Sequence, residues 1–180
     1  MTKKISFGLS VSDLNSAIKE LRQYQADLNI KCQKFTERLA DLGLETAKAI
    51  MKEHIYSGET IGSLRIETDE IGSVTKLRIV VESEAILFLE FGAGVKYSGT
   101  VNPKASEMGY GPGTYPGAGH WNDPNGWWFP TDDPRLIRYT DSSGQGWGHS
   151  YGIEAAMPMY NASVEMMRNV RKIAKEVFHT

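Results

Sequence analysis

Nine positions near the start of the chain, Leu14, Ile18, Leu21, Gln25, Leu28, Cys32, Phe35, Leu39 and Leu42, are separated by alternating steps of four and three. Only an α-helix brings that spacing onto one side, so the pattern commits this stretch to a long helix with a heptad seam. At about 1.5 Å per residue, a helix over 14–42 reaches roughly 43 Å, longer than a small domain is wide. Two arrangements satisfy such a seam: the helix lies across its own sheet, or part of the seam packs against another protomer. Gln25 is its one polar interruption, the kind of position that sets register between packed helices. Ahead of the helix, Ile5, Phe7, Leu9 and Val11 alternate as one face of a strand, and Ser10 or Ser12 is placed to cap the first turn. Gly43 offers a break, after which a second helix is expected from about Leu44 to Ile55, with Ala47, Ile50, Met51 and Ile55 inside.

Beyond a loop at 57–63, the period changes from helical to alternating. Leu64, Ile66 and Thr68 alternate with Arg65, Glu67 and Asp69, and Leu77, Ile79 and Val81 continue the pattern after a corner at Ile71-Gly72-Ser73. This predicts an antiparallel hairpin with one wet face. The run EAILFLEFG is apolar on both faces and fits either a buried strand or a short helical turn. Six of the seven prolines then fall between Pro103 and Pro134, and twelve of the 18 glycines lie in 92–148. Order therefore gives way to a long Gly/Pro/Trp-rich loop or arm. GHSYGIEA reads as a strand returning to the sheet. Pro158 suits the first position of a last helix, where its missing amide hydrogen is not needed. Tyr160, Val164, Met167, Val170, Ile173 and Val177 would form its inner stripe, and Arg168, Arg171, Lys172 and Lys175 a solvated basic face. The expected fold is α+β in a single domain over 1–180. A small antiparallel sheet packs with a long N-terminal helix, a second helix and a C-terminal helix, and 92–148 forms an inserted arm.

Several functions are disfavoured. A net charge of −2 does not suit a protein that works by neutralising phosphates. No apolar run is long enough to span a bilayer, and MTKKISFGLSVSDLN lacks the apolar centre and cleavage site of a signal peptide. Cys32 is alone, which excludes an internal disulfide and fits synthesis in a reducing cytoplasm. His120, Asp123 and His149, with Glu90 as a base, are the one candidate metal or catalytic group. Their spacing matches no ligand signature, so turn and surface roles are expected for them. Ser142-Ser143-Gly144 and Gly111-Pro112-Gly113 lack the flanking strand and helix of a phosphate-binding loop. The expectation is a protein without enzymatic activity, cofactor or metal.

Three stretches carry a family resemblance: Thr60-Ile61-Gly62-Ser63-Leu64-Arg65, Leu89-Glu90-Phe91-Gly92, and Ala156-Met157-Pro158-Met159-Tyr160-Asn161-Ala162. With their spacing they cover residues 14 to 178. Together they resemble the tail-component family of tailed-bacteriophage morphogenesis proteins, typified by the gene-ten product of a lambda-like phage. Two features depart from the family pattern: Ser57-Gly58-Glu59 replaces a proline before the first stretch, and Met159 replaces an aromatic residue after Pro158. The resemblance implies a virion protein of the head–tail junction (a neck or tail-completion protein), made in the host bacterial cytoplasm and assembling as a homo-oligomeric ring, with a hexamer as the expected form. It further implies neighbours among the connector, tail-terminator and tail-tube proteins, with channel DNA as a non-specific neighbour and no membrane.

The segment GPGTYPGAGHWNDPNGWWFP, together with Trp147, raises the question of what its aromatics meet. Asp123-Pro124-Asn125-Gly126 is a turn signal leading into GWWFP, where alternation puts Trp127 and Phe129 on one face and Trp128 on the other. An arm ordered by neighbouring subunits is the expected use. A carbohydrate-binding platform and, more remotely, a peptidoglycan-acting enzyme are the rival readings. Glu90, between Leu89 and Phe91, needs water or a partner, with Arg65, Arg78 or a residue of the next protomer as candidates. The candidate assembly-interface residues are thus Gln25, Arg65, Glu90, Phe91, Trp121, Trp127, Trp128 and Trp147.

Overall fold

A computed structural model describes residues 8–54, 58–71, 74–83, 85–94, 101–110 and 123–179. The architecture is α+β. Helix α1 spans Val11–His54 without interruption. Ser10 caps it: its hydroxyl accepts the Asp13 amide at 3.1 Å and donates to the Asp13 carboxylate at 2.6 Å. Val11 is therefore helical and does not end a strand; Ile5 and Phe7 lie outside the described residues.

Gly43 does not break α1. It is buried at the point where the helix meets its neighbours, and a Cβ there would stand 2.5 Å from Ile79 Cδ1 and 2.7 Å from Met166 Sδ. The glycine serves close approach, and packing offsets its poor helix propensity. The two expected helices are accordingly one.

The expected loop before the hairpin contains a single helical turn, α2 (Gly58–Gly62). Strands β1 (Arg65–Ile71) and β2 (Val74–Val80) pair antiparallel, with Glu67 opposite Arg78 and Ile66 opposite Ile79. Arg65 and Arg78 lie on the wet face. Arg65 bonds Glu67 at 2.6 Å and Glu82 at 2.8 Å, and Arg78 bonds Asp69 at 2.9 Å. Ile66, Leu77 and Ile79 occupy the opposite face.

The EAILFLEFG run resolves as helix α3 (Ile86–Phe91), and α4 (Ala105–Met108) follows. The arm is not loop throughout. It contributes β3 (Trp127–Pro130) and β4 (Tyr139–Thr140), which flank β5 (Gly146–Ser150) in a three-stranded antiparallel sheet. The returning strand thus joins this second sheet and not the hairpin, because its partners lie in the arm itself. A bridge between Ala93 and Ile153 helps tie the end of α3 to the chain after β5.

Helix α5 (Pro158–Phe178) begins at Pro158 and packs along the second half of α1. Its pairing with α1 is antiparallel: Phe178 meets Phe35, Glu176 meets Arg38, and Met166 lies over Gly43. Small buried residues, Ala40 and Ala47 on α1 and Ala162 on α5, let the two axes approach. The inner side of α5 is Pro158, Ala162, Ile173 and Val177, whereas Met167 and Val170 are exposed. The expected stripe is turned because Met166 takes the place over Gly43.

Candidate functional site

Two constructions stand out, one internal and one at the surface. The internal one joins α3 to the start of α5. Glu90 is 8% exposed, and its carboxylate is met by three N–H donors of its own chain. Met159 N donates to Oε2 at 2.8 Å; Tyr160 N and Asn102 Nδ2 donate to Oε1, each at 2.9 Å. The carboxylate therefore sits at the positive end of α5, on amides the helix cannot satisfy itself. Leu89 O accepts the amides of Ala156 at 2.8 Å and Met157 at 3.1 Å. Met157 takes a left-handed conformation with φ 55°, costly for a side chain of this size, and those bonds hold it there. Asn102, also buried, donates to Glu90 O at 3.0 Å and accepts the Lys104 amide at 2.8 Å.

Phe91 is buried beside Glu90, its ring 5.2 Å from that of Tyr110. Both side chains are engaged within the protomer. The arginines considered for Glu90 are instead spent on the wet face of the hairpin, where their own strand neighbours are acidic.

The surface construction lies on the second sheet. Antiparallel register sets Trp128 opposite His149 and Tyr139 opposite Trp147. Trp147, His149 and Tyr151 alternate along β5 and its continuation, so five rings share one face. Trp128 meets His149 at 4.6 Å and Tyr139 at 5.5 Å, His149 meets Tyr151 at 4.7 Å, and Tyr139 stacks on Trp147 at 6.5 Å. Trp128 remains 52% exposed, and Tyr139 and Tyr151 are about as open. On the other face Trp127 and Phe129 are half-buried, and the Phe129 ring lies where a Cβ on Gly148 would stand, 2.5 Å away. Glycine at 148 is what lets the ring lie flat on the strand.

Asp141 holds this face in shape, and sequence reasoning missed it. Its Oδ1 accepts the Ser143 hydroxyl at 2.6 Å and the amides of Ser143 and Gln145 at 2.9 and 3.0 Å. Its Oδ2 accepts Trp147 Nε1–H at 2.9 Å. These bonds, the Ser143 hydroxyl first and the Trp147 indole next, lower its pKa from 3.8 to about 2. The available signal was the Asp-Ser-Ser-Gly string, an Asx-turn composition closing a hairpin.

No family model, curated protein or solved structure matches the chain.

The structure brings Trp128 and Trp147 together and places Glu90 next to Phe91. It keeps Gln25 apart, exposed on the first half of α1, and Arg65 apart on the hairpin. Trp121 and His120 lie outside the described residues. Among those described, no group of three or more His, Cys, Asp or Glu side chains is placed to hold a metal ion, and no helix is long and apolar enough to cross a membrane.

Proposed function

We propose that this chain is a structural protein of the head–tail junction of a tailed bacteriophage, assembling as a ring of identical protomers whose exposed aromatic face is covered in the finished particle. The observation that carries the reading is that face: five rings ordered by strand register, with Trp128 half-open to water on a sheet built from the arm. An exposed aromatic patch held in a fixed shape is what a surface completed by another chain requires.

The family resemblance narrows the partner class. Two of its three stretches, Leu89–Gly92 and Ala156–Ala162, are bonded directly to each other through Leu89 O and Glu90. They form one built joint within the protomer. A carbohydrate platform fits the geometry less well. Tyr139 and Trp147 lie 10° from parallel, but the most exposed ring, Trp128, stands at 62° to His149 and 80° to Tyr139, so the five rings do not make one flat platform.

The double substitution Trp127→Ala, Trp128→Ala tests the reading. Joined particles counted by electron microscopy should fall to background, while heads and tails accumulate separately and the helix content of the isolated protein is retained. Normal joining by the variant, or binding of immobilised glycans by the parent that the variant loses, would refute it.

A further inference from the structure

The hairpin of β1 and β2 is a sheet of two strands, so each strand keeps one edge without a neighbouring strand among the described residues. Which backbone groups lie on those edges follows from the register. Ile71 pairs with Val74 across only two residues, so that pair must exchange backbone bonds, and in an antiparallel ladder every second pair then does the same. Asp69 with Lys76 and Glu67 with Arg78 are therefore bonded pairs. The N–H and C=O groups of Ile66 and Thr68 on β1, and of Leu77 and Ile79 on β2, point away from the hairpin, and no backbone group among the described residues bonds them. A bare strand edge is a template for another strand.

The two edges differ in charge. On the wet face β1 carries Glu67 and Asp69, and β2 carries Lys76 and Arg78. Arg65, at the start of β1, is already held by Glu67 and Glu82. We propose that the outer edge of β1 in one copy of the chain pairs antiparallel with the outer edge of β2 in the next copy, head to tail around the ring. Keeping the hairpin's own register sets Thr68 opposite Leu77 of the next copy and Ile66 opposite Ile79, so the unbonded N–H and C=O groups meet. The same register sets Glu67 opposite Arg78 and Asp69 opposite Lys76 of the next copy, and the acids of β1 then have bases on both sides. Pairing β1 with β1 would set acid against acid, and β2 with β2 base against base, which disfavours a two-fold dimer. The inference rests on the ring proposed above and names the contact that closes it.

The helices leave room for such a sheet. Leu39 and Ala40 of α1 and Ala162 and Met166 of α5 line one groove with Leu77 and Ile79, so both helices lie on the dry side of the hairpin. With the helices outside, each copy adds two strands to the inner wall, about 10 Å of sheet. One helix diameter further out, about 10 Å, a ring of six gains roughly another 10 Å of arc per copy, so α1 and α5 fit side by side at about 8–10 Å between axes. The wet face of the hairpin then lines the channel.

Single cysteines read the contact. In a Cys32→Ser background, full-length Asp69→Cys and Lys76→Cys chains are co-produced and oxidised with diamide, which takes up the two hydrogens as two thiols become one disulfide. In the copy-to-copy ladder these two positions form a pair without mutual backbone bonds, with Cα atoms about 4.5 Å apart, a distance a disulfide spans. A covalent dimer is expected from the mixture and none from either variant alone, since each chain carries a single thiol and like edges do not meet. Thr68→Pro removes an outward N–H and no bond inside the hairpin, so it should keep the parent's circular dichroism and lower the assembled fraction in sedimentation about tenfold. A ring that never cross-links in the mixture, or a single variant that cross-links as well as the mixture, overturns this contact and leaves the ring reading standing. So does Thr68→Pro assembling like the parent. A parent chain that is monomeric at every concentration overturns the ring and this contact together.

Discussion

Replacing Glu90 by Gln changes one atom's chemistry and leaves shape almost intact, which isolates what the carboxylate does. Its two oxygens accept three N–H groups, from Met159, Tyr160 and Asn102. A glutamine must turn its NH2 toward one of them. The better orientation keeps Tyr160 and Asn102 on the oxygen and sets a donor against the Met159 amide. The loss is one charge-assisted bond, about 1.5–3 kcal/mol, plus the carboxylate's attraction to the helix dipole, about 0.3–1 kcal/mol. For a chain of this size a cost near 3 kcal/mol lowers the melting temperature by roughly 6–12 °C. Glu90→Ala should cost more, because it strands all three donors in a buried place. Thermal unfolding followed by circular dichroism at neutral pH reads both. A Glu90→Gln melting temperature within about 2 °C of the parent would show that the joint between α3 and α5 does not depend on the charge.

Asp141 gives a pH prediction. Its carboxyl is lowered from 3.8 to about 2 in the folded chain, so its contribution is complete above 3.8 and is lost as the pH falls through about 2. Tryptophan emission should shift over that window in the parent and stay flat there in Asp141→Asn. Gly43→Leu should destabilise by about 1–3 kcal/mol, because the added side chain must displace Ile79 and Met166; urea unfolding with an unchanged midpoint would contradict that close contact. Asn102→Ala should cost about 1–3 kcal/mol in the same assay, and less than additively with Glu90→Ala, because the two side chains are bonded to each other.

Local periodicity made much of this molecule legible. The heptad spacing announced α1, the alternation of Ile66 and Thr68 with Glu67 and Asp69 announced the hairpin, and Pro158 marked the start of α5. What the sequence hid was tertiary. Gly43 reads as a breaker unless Ile79 and Met166 are known to press on it, and they lie far along the chain. Glu90 could be singled out as a carboxylate in need of water or a partner, yet two of its three partners are backbone amides 69 and 70 residues away. A backbone donor carries no side-chain signature, so arginines looked like the answer. The arm looked structureless because glycine and proline dominate it, but Gly148 is there to seat the Phe129 ring. Alternation separated Trp128 from Trp127 and Phe129. Only strand register could bring His149 and Tyr139 to its side.

The central claim is that the chain works as a ring of identical subunits. Native mass measurement of the full-length protein across a concentration series, with electron microscopy of the same samples, tests it most directly. The account predicts one dominant closed assembly, six protomers being expected, seen as rings with a central channel. A protein that stays monomeric at every concentration, or forms open chains of unbounded mass, would contradict it.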